Sequence, residues 1–160
     1  RLIDTLSNEV LKLENQMMDI VREDKELSDM YHLITGIKGV GKMSALLIMI
    51  YTNRFTKFKT WRKFASYSGT APFPHQSGTS IAGRNKVSHF ANKEIKSMLN
   101  MCAISAIQHN TEMSLYYQRR TEQGKNKMST LNIIRNKLIA RIFAVVKRGT
   151  AYETTLKYAS

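Results

Sequence analysis

The stretch His32-Leu33-Ile34-Thr35-Gly36-Ile37-Lys38-Gly39-Val40-Gly41-Lys42-Met43-Ser44-Ala45 reads as a helix end, a tight Gly-apolar-Gly turn, and an apolar helix continuing through Leu46, Leu47, Ile48 and Ile50. This is a helix-hairpin-helix pattern, and it predicts a mainly α-helical fold. Glycine has no Cβ, so the backbone at Gly39 and Gly41 can approach a phosphate closely. Free N–H groups at the start of the following helix favour an anion there. Lys38 and Lys42 add charge on either side of Gly39, Val40 and Gly41. The alternative is a plain inter-helix turn. The cations around it weigh toward DNA contact, made through the backbone and blind to base sequence.

The chain has 160 residues with Lys+Arg 25, Asp+Glu 12 and a formal net charge of +13, so one domain with or without an appendage is expected, acting on an anion. Hydrophobic residues make up 42%, enough for a core, which excludes disordered and collagen-like chains. The single cysteine, Cys102, excludes disulfide scaffolds and multi-cysteine zinc sites and points to a reducing compartment, the cytoplasm. No apolar run approaches the ~18 residues of a membrane span, and Arg1-Leu2-Ile3-Asp4 does not resemble a signal peptide. The sequence starts inside a helical pattern without an initiator Met, and a fragment of something longer is expected.

Charge divides the chain. Residues 1–31 carry a net of −4 and residues 32–160 a net of +17, where the only acids are Glu94, Glu112, Glu122 and Glu153. A basic body so poor in carboxylates cannot supply the ligand cluster of a two-metal nuclease. In the leader, Ile3, Leu6, Val10, Leu13, Met17 and Ile20 alternate spacings of three and four, a heptad seam. We expect a coiled-coil helix over residues 1–28, pairing with a second copy or an upstream helix, and a helix-hairpin-helix domain over 29–160. The alternative is an ordinary amphipathic helix lying on the body.

Phe55, Phe58, Trp61 and Phe64 recur at every third position among Arg54, Lys57, Lys59, Arg62 and Lys63, with a short helix starting near Thr60. That period favours core anchors over base-stacking platforms. Helical periodicity then stops from Ser66 to Ser88. Both prolines lie in Ser68-Gly69-Thr70-Ala71-Pro72-Phe73-Pro74-His75-Gln76-Ser77-Gly78-Thr79-Ser80, and Ile81-Ala82-Gly83-Arg84-Asn85-Lys86-Val87 reads as a tight turn, compatible with one small β-hairpin. So long a loop in a compact domain is more often functional than idle. Ser77 is a candidate nucleophile, with Arg84, Lys86, His75 or His89 able to hold a phosphate beside it; simple turn capping is the alternative.

Three helical segments follow. The first buries Ile95, Met98, Leu99, Cys102 and Ala106; a short one runs around Leu115 to Thr121 and stops near Gly124. The third buries Leu131, Ile134, Leu138, Ile142 and Val145, leaving Arg135, Lys137, Arg141, Lys147 and Arg148 as a solvated face or nucleic-acid footprint. Tyr116 and Tyr117 do not stand in the His and Arg setting usual for recombinase tyrosines, which disfavours a tyrosine nucleophile.

In this order, Gly36-Ile37-Lys38-Gly39-Val40-Gly41, Arg54-Phe55, Tyr67-Ser68-Gly69-Thr70-Ala71-Pro72, Gln76-Ser77-Gly78, Asn92-Lys93 and Gly149-Thr150-Ala151-Tyr152 resemble the C-terminal transposase domain of the insertion-sequence 110 family, with its 116 and 902 groups. Ala91 stands where a glycine is common, and Lys96 where an arginine is expected. The resemblance implies a recombinase guided by a structured RNA and assembled as dimers and tetramers. It also implies an RNase-H-like N-terminal half that holds divalent metal and is joined by a coiled coil to a domain like this one. It assigns Ser77 as the nucleophile joined to DNA and makes Lys93, with Arg84 and Lys86, a candidate nucleic-acid contact. No cofactor is expected in this chain itself, nor activity from it alone, and the setting implied is the bacterial or archaeal nucleoid. Two other classes remain, a non-catalytic helix-hairpin-helix DNA-binding module and an assembly domain built on the leader helix.

Overall fold

A computed structural model describes residues 1–77, 81–87 and 91–153, and among these the side chains of residues 74–77 and 81–86 lie outside the description. Among the described residues, seven helices and one two-stranded ribbon follow in order: α1 (Leu2–Glu23), α2 (Lys25–Thr35), α3 (Lys42–Thr52), α4 (Trp61–Tyr67), β1 (Pro72–Ser77), β2 (Ile81–Val87), α5 (Lys93–His109), α6 (Thr111–Glu122) and α7 (Lys127–Arg148). The mainly α-helical fold expected from the turn motif is the fold observed.

α7 is the central strut. Its stripe of Leu131, Ile134, Leu138, Ile142 and Val145 is buried, and it packs on α2, α4, α5 and α6. Ile34, Ile37, Ala45, Ile48, Cys102, Ala103, Ala106 and Met113 complete the main core. A smaller core gathers Phe64, Ala65, Ile95, Leu99 and Ile139, with Phe58, Trp61, Tyr67 and Phe143 against it. Phe55 meets Phe143 edge-on at 4.9 Å between ring centroids. The third-position aromatics are therefore packing anchors, as their period suggests.

Five helices begin on a side chain that accepts a hydrogen bond from the backbone: Asp24, Thr60, Asn92, Asn110 and Asn126 open α2, α4, α5, α6 and α7. Such caps satisfy amides that have no helical acceptor. Asp24 also divides the acidic leader. Expected as one helix to residue 28, it breaks because Asp24 is extended (φ −106°, ψ 114°) and its carboxylate takes the amides of Glu26 and Leu27. Along α1 the seam residues Ile3, Leu6, Val10, Leu13 and Ile20 are exposed, while the seam's Met17 is half-buried against the main core and Val21 is buried in it.

The long segment expected after α4 contains the small β-hairpin allowed for it, an antiparallel ribbon pairing Pro72 with Val87 at its base and Ser77 with Ile81 at its far end. Residues 81–87, read as a tight turn, form its second strand. Both prolines fit a two-stranded ribbon, which has only edges: Pro72 begins its strand, and Pro74 falls in the irregularity between Phe73 and His75.

Candidate nucleic-acid interface

The glycine turn sits between α2 and α3 as the motif requires. Ile37 and Val40 are buried, so Val40 is a core residue, while Lys38, Gly41 and Lys42 are exposed. The two glycines differ. Gly39, at φ +103°, lies so close to α5 that an added Cβ would fall 2.5 Å from the Cβ of Ala106, whereas one on Gly41 would meet nothing within 4 Å. Close approach at Gly39 is thus used inside the fold, and Gly41 is the position open to a ligand. α3 has no side-chain cap. Its first helical bond runs from the Ala45 amide to the Gly41 carbonyl, so the three amides before it have no helical acceptor. Cys102, behind the turn, has its thiol pKa raised by burial, against the opposing influence of Ser44 and the Gly41 amide.

The base of the ribbon is held from two sides. On one, the amides of Thr70 and Ala71 donate to the Ala65 carbonyl, and the Asn92 amide donates to the Tyr67 carbonyl at 3.0 Å. On the other, Asn132 and Asn136 of α7 each donate to the Thr70 carbonyl at 2.8 Å, and the Thr70 hydroxyl donates to Asn136 Oδ1 at 3.3 Å. Ser68 and Thr70 are fully buried and within 3.2 Å of each other. Ser77 ends β1 at the opposite end of the ribbon, five residue steps or about 17 Å from Pro72 at its base. The side chains of His75, Ser77, Arg84 and Lys86, and all of His89, lie outside the described residues.

Lys93 is exposed at the first position of α5, whose cap Asn92 is tied to Tyr67 at the ribbon base; Lys57 stands 5.0 Å over the Tyr67 ring. α5 spaces the parts of the candidate interface. Asn92 and Ala106 are fourteen residues apart on it, about 21 Å at 1.5 Å per residue, and they touch the ribbon base and the glycine turn respectively.

Several cations read as a solvated face of α7 are not one. Arg135 is buried, donating to Asn100 Oδ1 at 2.8 Å, and burial lowers its pKa. Arg141 pairs with Glu112, whose other oxygen accepts from the Tyr152 hydroxyl at 3.0 Å. The late glycine-to-tyrosine motif therefore fastens α7 to α6: Gly149, at φ 66°, turns the chain and Tyr152 locks it. Neither the asparagine clamp nor this lock was identified from sequence. The spacing of Asn132 and Asn136, four apart beside the apolar stripe, was the available signal.

Among the described residues no group of three or more His, Cys, Asp or Glu side chains stands together. Glu94 accepts from the Tyr51 hydroxyl and Glu112 from Arg141, so these two acids of the body are engaged by the protein. No described helix is long and apolar enough to cross a membrane.

A family model described as "Transposase IS116/IS110/IS902 family" matches residues 31–118, from the end of α2 through the glycine turn, the ribbon and α5 into α6. The "Pilin gene-inverting protein" of Moraxella bovis and that of Moraxella lacunata are each 26% identical over 148 residues, which is 92% of this chain and 46% of theirs. The "Insertion element IS110 uncharacterized 43.6 kDa protein" of Streptomyces coelicolor is 29% identical over 124 residues, 78% of this chain and 30% of its own. The chain spans less than half the length of these curated relatives.

Proposed function

Since the chain belongs to the IS116/IS110/IS902 transposase family, we propose that it is the DNA-binding, serine-bearing part of a DNA recombinase. The observation that carries this reading is the single unbroken match over residues 31–118, which contains both the glycine turn and the Ser77 ribbon. DNA is held by its phosphates at the open amides of α3, with Gly41, Lys38 and Lys42, and at Lys93 near the ribbon base. The ~21 Å between them along α5 spans about six phosphate steps of one strand. Arg84 and Lys86 on β2 accompany the serine.

Ser77 attacks a phosphodiester. A bond forms between its Oγ and phosphorus as one ester P–O bond breaks; the hydroxyl proton passes to a base, and the departing oxygen takes up a proton. Reversal of the step onto a different strand end exchanges strands. Divalent metal has no fit among the described side chains of this chain, and no step here runs through it. The reading assigns metal-holding carboxylates to an RNase-H-like part of the whole protein, so this chain alone binds DNA without completing the reaction. The exposed α1 seam pairs copies as dimers or tetramers, a structured RNA selects the DNA, and the setting is the bacterial or archaeal nucleoid.

Ser77→Ala in the intact recombinase abolishes covalent protein–DNA adducts, seen as a shifted band on denaturing gels, and leaves DNA binding in place. Adducts that persist reject Ser77 as the nucleophile. A second reading, a non-catalytic helix-hairpin-helix module, is favoured by the uncapped start of α3; it requires that Ser77→Ala leave recombination unchanged.

A further inference from the structure

On the side where α6 meets α7, three cations gather around one committed carboxylate. A cleft of about 340 Å³ is lined by Glu112, Leu115, Tyr116, Arg119 and Lys137. Both oxygens of Glu112 are taken, one by Arg141 and the other by Tyr152. Arg119 and Lys137 take part in none of the ion pairs among the described residues. Lys137 rests instead on the face of Tyr116, its Nζ 3.9 Å from the ring centroid, with the Arg119 guanidinium 5.8 Å from the same ring. The Tyr116 ring fixes the Lys137 ammonium by cation–π attraction while leaving its N–H donors without an oxygen acceptor. Burial lowers the Lys137 pKa, and Arg141 and Arg119 push it the same way against the pull of Glu112. Like charges held this close in a partly dehydrated cleft are relieved by an incoming anion.

We propose that this cleft is a phosphodiester-binding subsite, in which Lys137 and Arg119 hold the phosphate oxygens of a nucleic-acid strand. The net of +17 over residues 32–160 makes a polyanion the fitting ligand. The ring face occupied by Lys137 does not serve as a base-stacking platform, so contact is to the strand backbone and indifferent to sequence. The subsite rests on the nucleic-acid-binding part of the reading above and is independent of Ser77.

The test uses the full chain with two probes of equal length, a fluorescent duplex DNA and a fluorescent single-stranded RNA, titrated at several salt concentrations. Lys137→Met keeps the buried stem and removes the charge; Arg119→Gln changes an exposed residue and serves if the first variant fails to fold. Lys25→Gln, an exposed cation of α2, is the control for loss of one charge. Each subsite variant weakens one probe roughly tenfold and reduces its salt slope by about one, whereas Lys25→Gln shifts it less than about twofold. The probe that responds identifies the strand as DNA or RNA. Subsite variants that match Lys25→Gln on both probes overturn the subsite while leaving the wider reading intact. Failure of the unaltered chain to bind either probe overturns both.

Discussion

A methyl group added at Gly39 would sit 2.5 Å from the Cβ and 2.7 Å from the Cα of Ala106, at a φ of +103° that L-residues rarely adopt, while one added at Gly41 has open space around it. Gly39→Ala must therefore push α5 away and strain the turn, and it lowers stability by about 2–4 kcal/mol, read as a lower urea midpoint. Gly41, at φ −81°, accepts alanine with a change within about 1 kcal/mol. If phosphate approaches the amides of α3 there, the added methyl weakens DNA binding several-fold in a chain that remains as stable as before; unchanged affinity removes Gly41 from the interface. Spacing made the pair legible as a turn. It could not show that one glycine is consumed by packing, because its neighbour, Ala106, lies on a helix far along the chain. Arg135 repeats the point: by sequence it is one more cation on a basic helix, and only the position of α5 beside α7 makes it an internal donor to Asn100.

Helix starts were more readable than the ribbon. Thr60 and Gly124 mark boundaries by local chemistry, a side-chain oxygen for free amides or a left-handed backbone turn, and the structure uses each in that way. The ribbon has no apolar alternation to announce it, and its place is set by α4 and α7, elements on either side of it in sequence. Asn132 and Asn136 decide where its base lies, since both donate to the Thr70 carbonyl. Replacing both with Ala leaves the buried Thr70 carbonyl without its two side-chain donors, at a cost of about 1–3 kcal/mol. If Ser77 acts at the far end, a loosened base moves it out of line. The double variant in the intact recombinase then forms adducts at least about tenfold more slowly, with DNA affinity close to that of the unaltered protein. Equal losses in rate and affinity would mean that the clamp shapes the binding surface and not the position of the serine.

At the scale of the molecule, charge and apolar surface are segregated: an acidic helix exposing a heptad seam, and a basic body whose apolar stripes are buried. Exposed Leu6, Val10 and Leu13 suit pairing, and a net of +17 over residues 32–160 suits a polyanion, so an assembly domain and a nucleic-acid binder remain physically distinct roles for the same chain. Salt separates them. Each phosphate neutralised on duplex DNA releases counterion and adds about −0.9 to the slope of log affinity against log salt. If the turn, the start of α5 and the ribbon together hold about five phosphates, a fourfold rise in salt lowers affinity roughly 500-fold. Fluorescence anisotropy on a labelled duplex measures this directly, and sedimentation of the same samples follows pairing through α1. A chain that pairs normally yet shows a flat salt response, or no binding at low salt, has a charge that only solubilises it, and the phosphate-holding role of the glycine turn falls with that result.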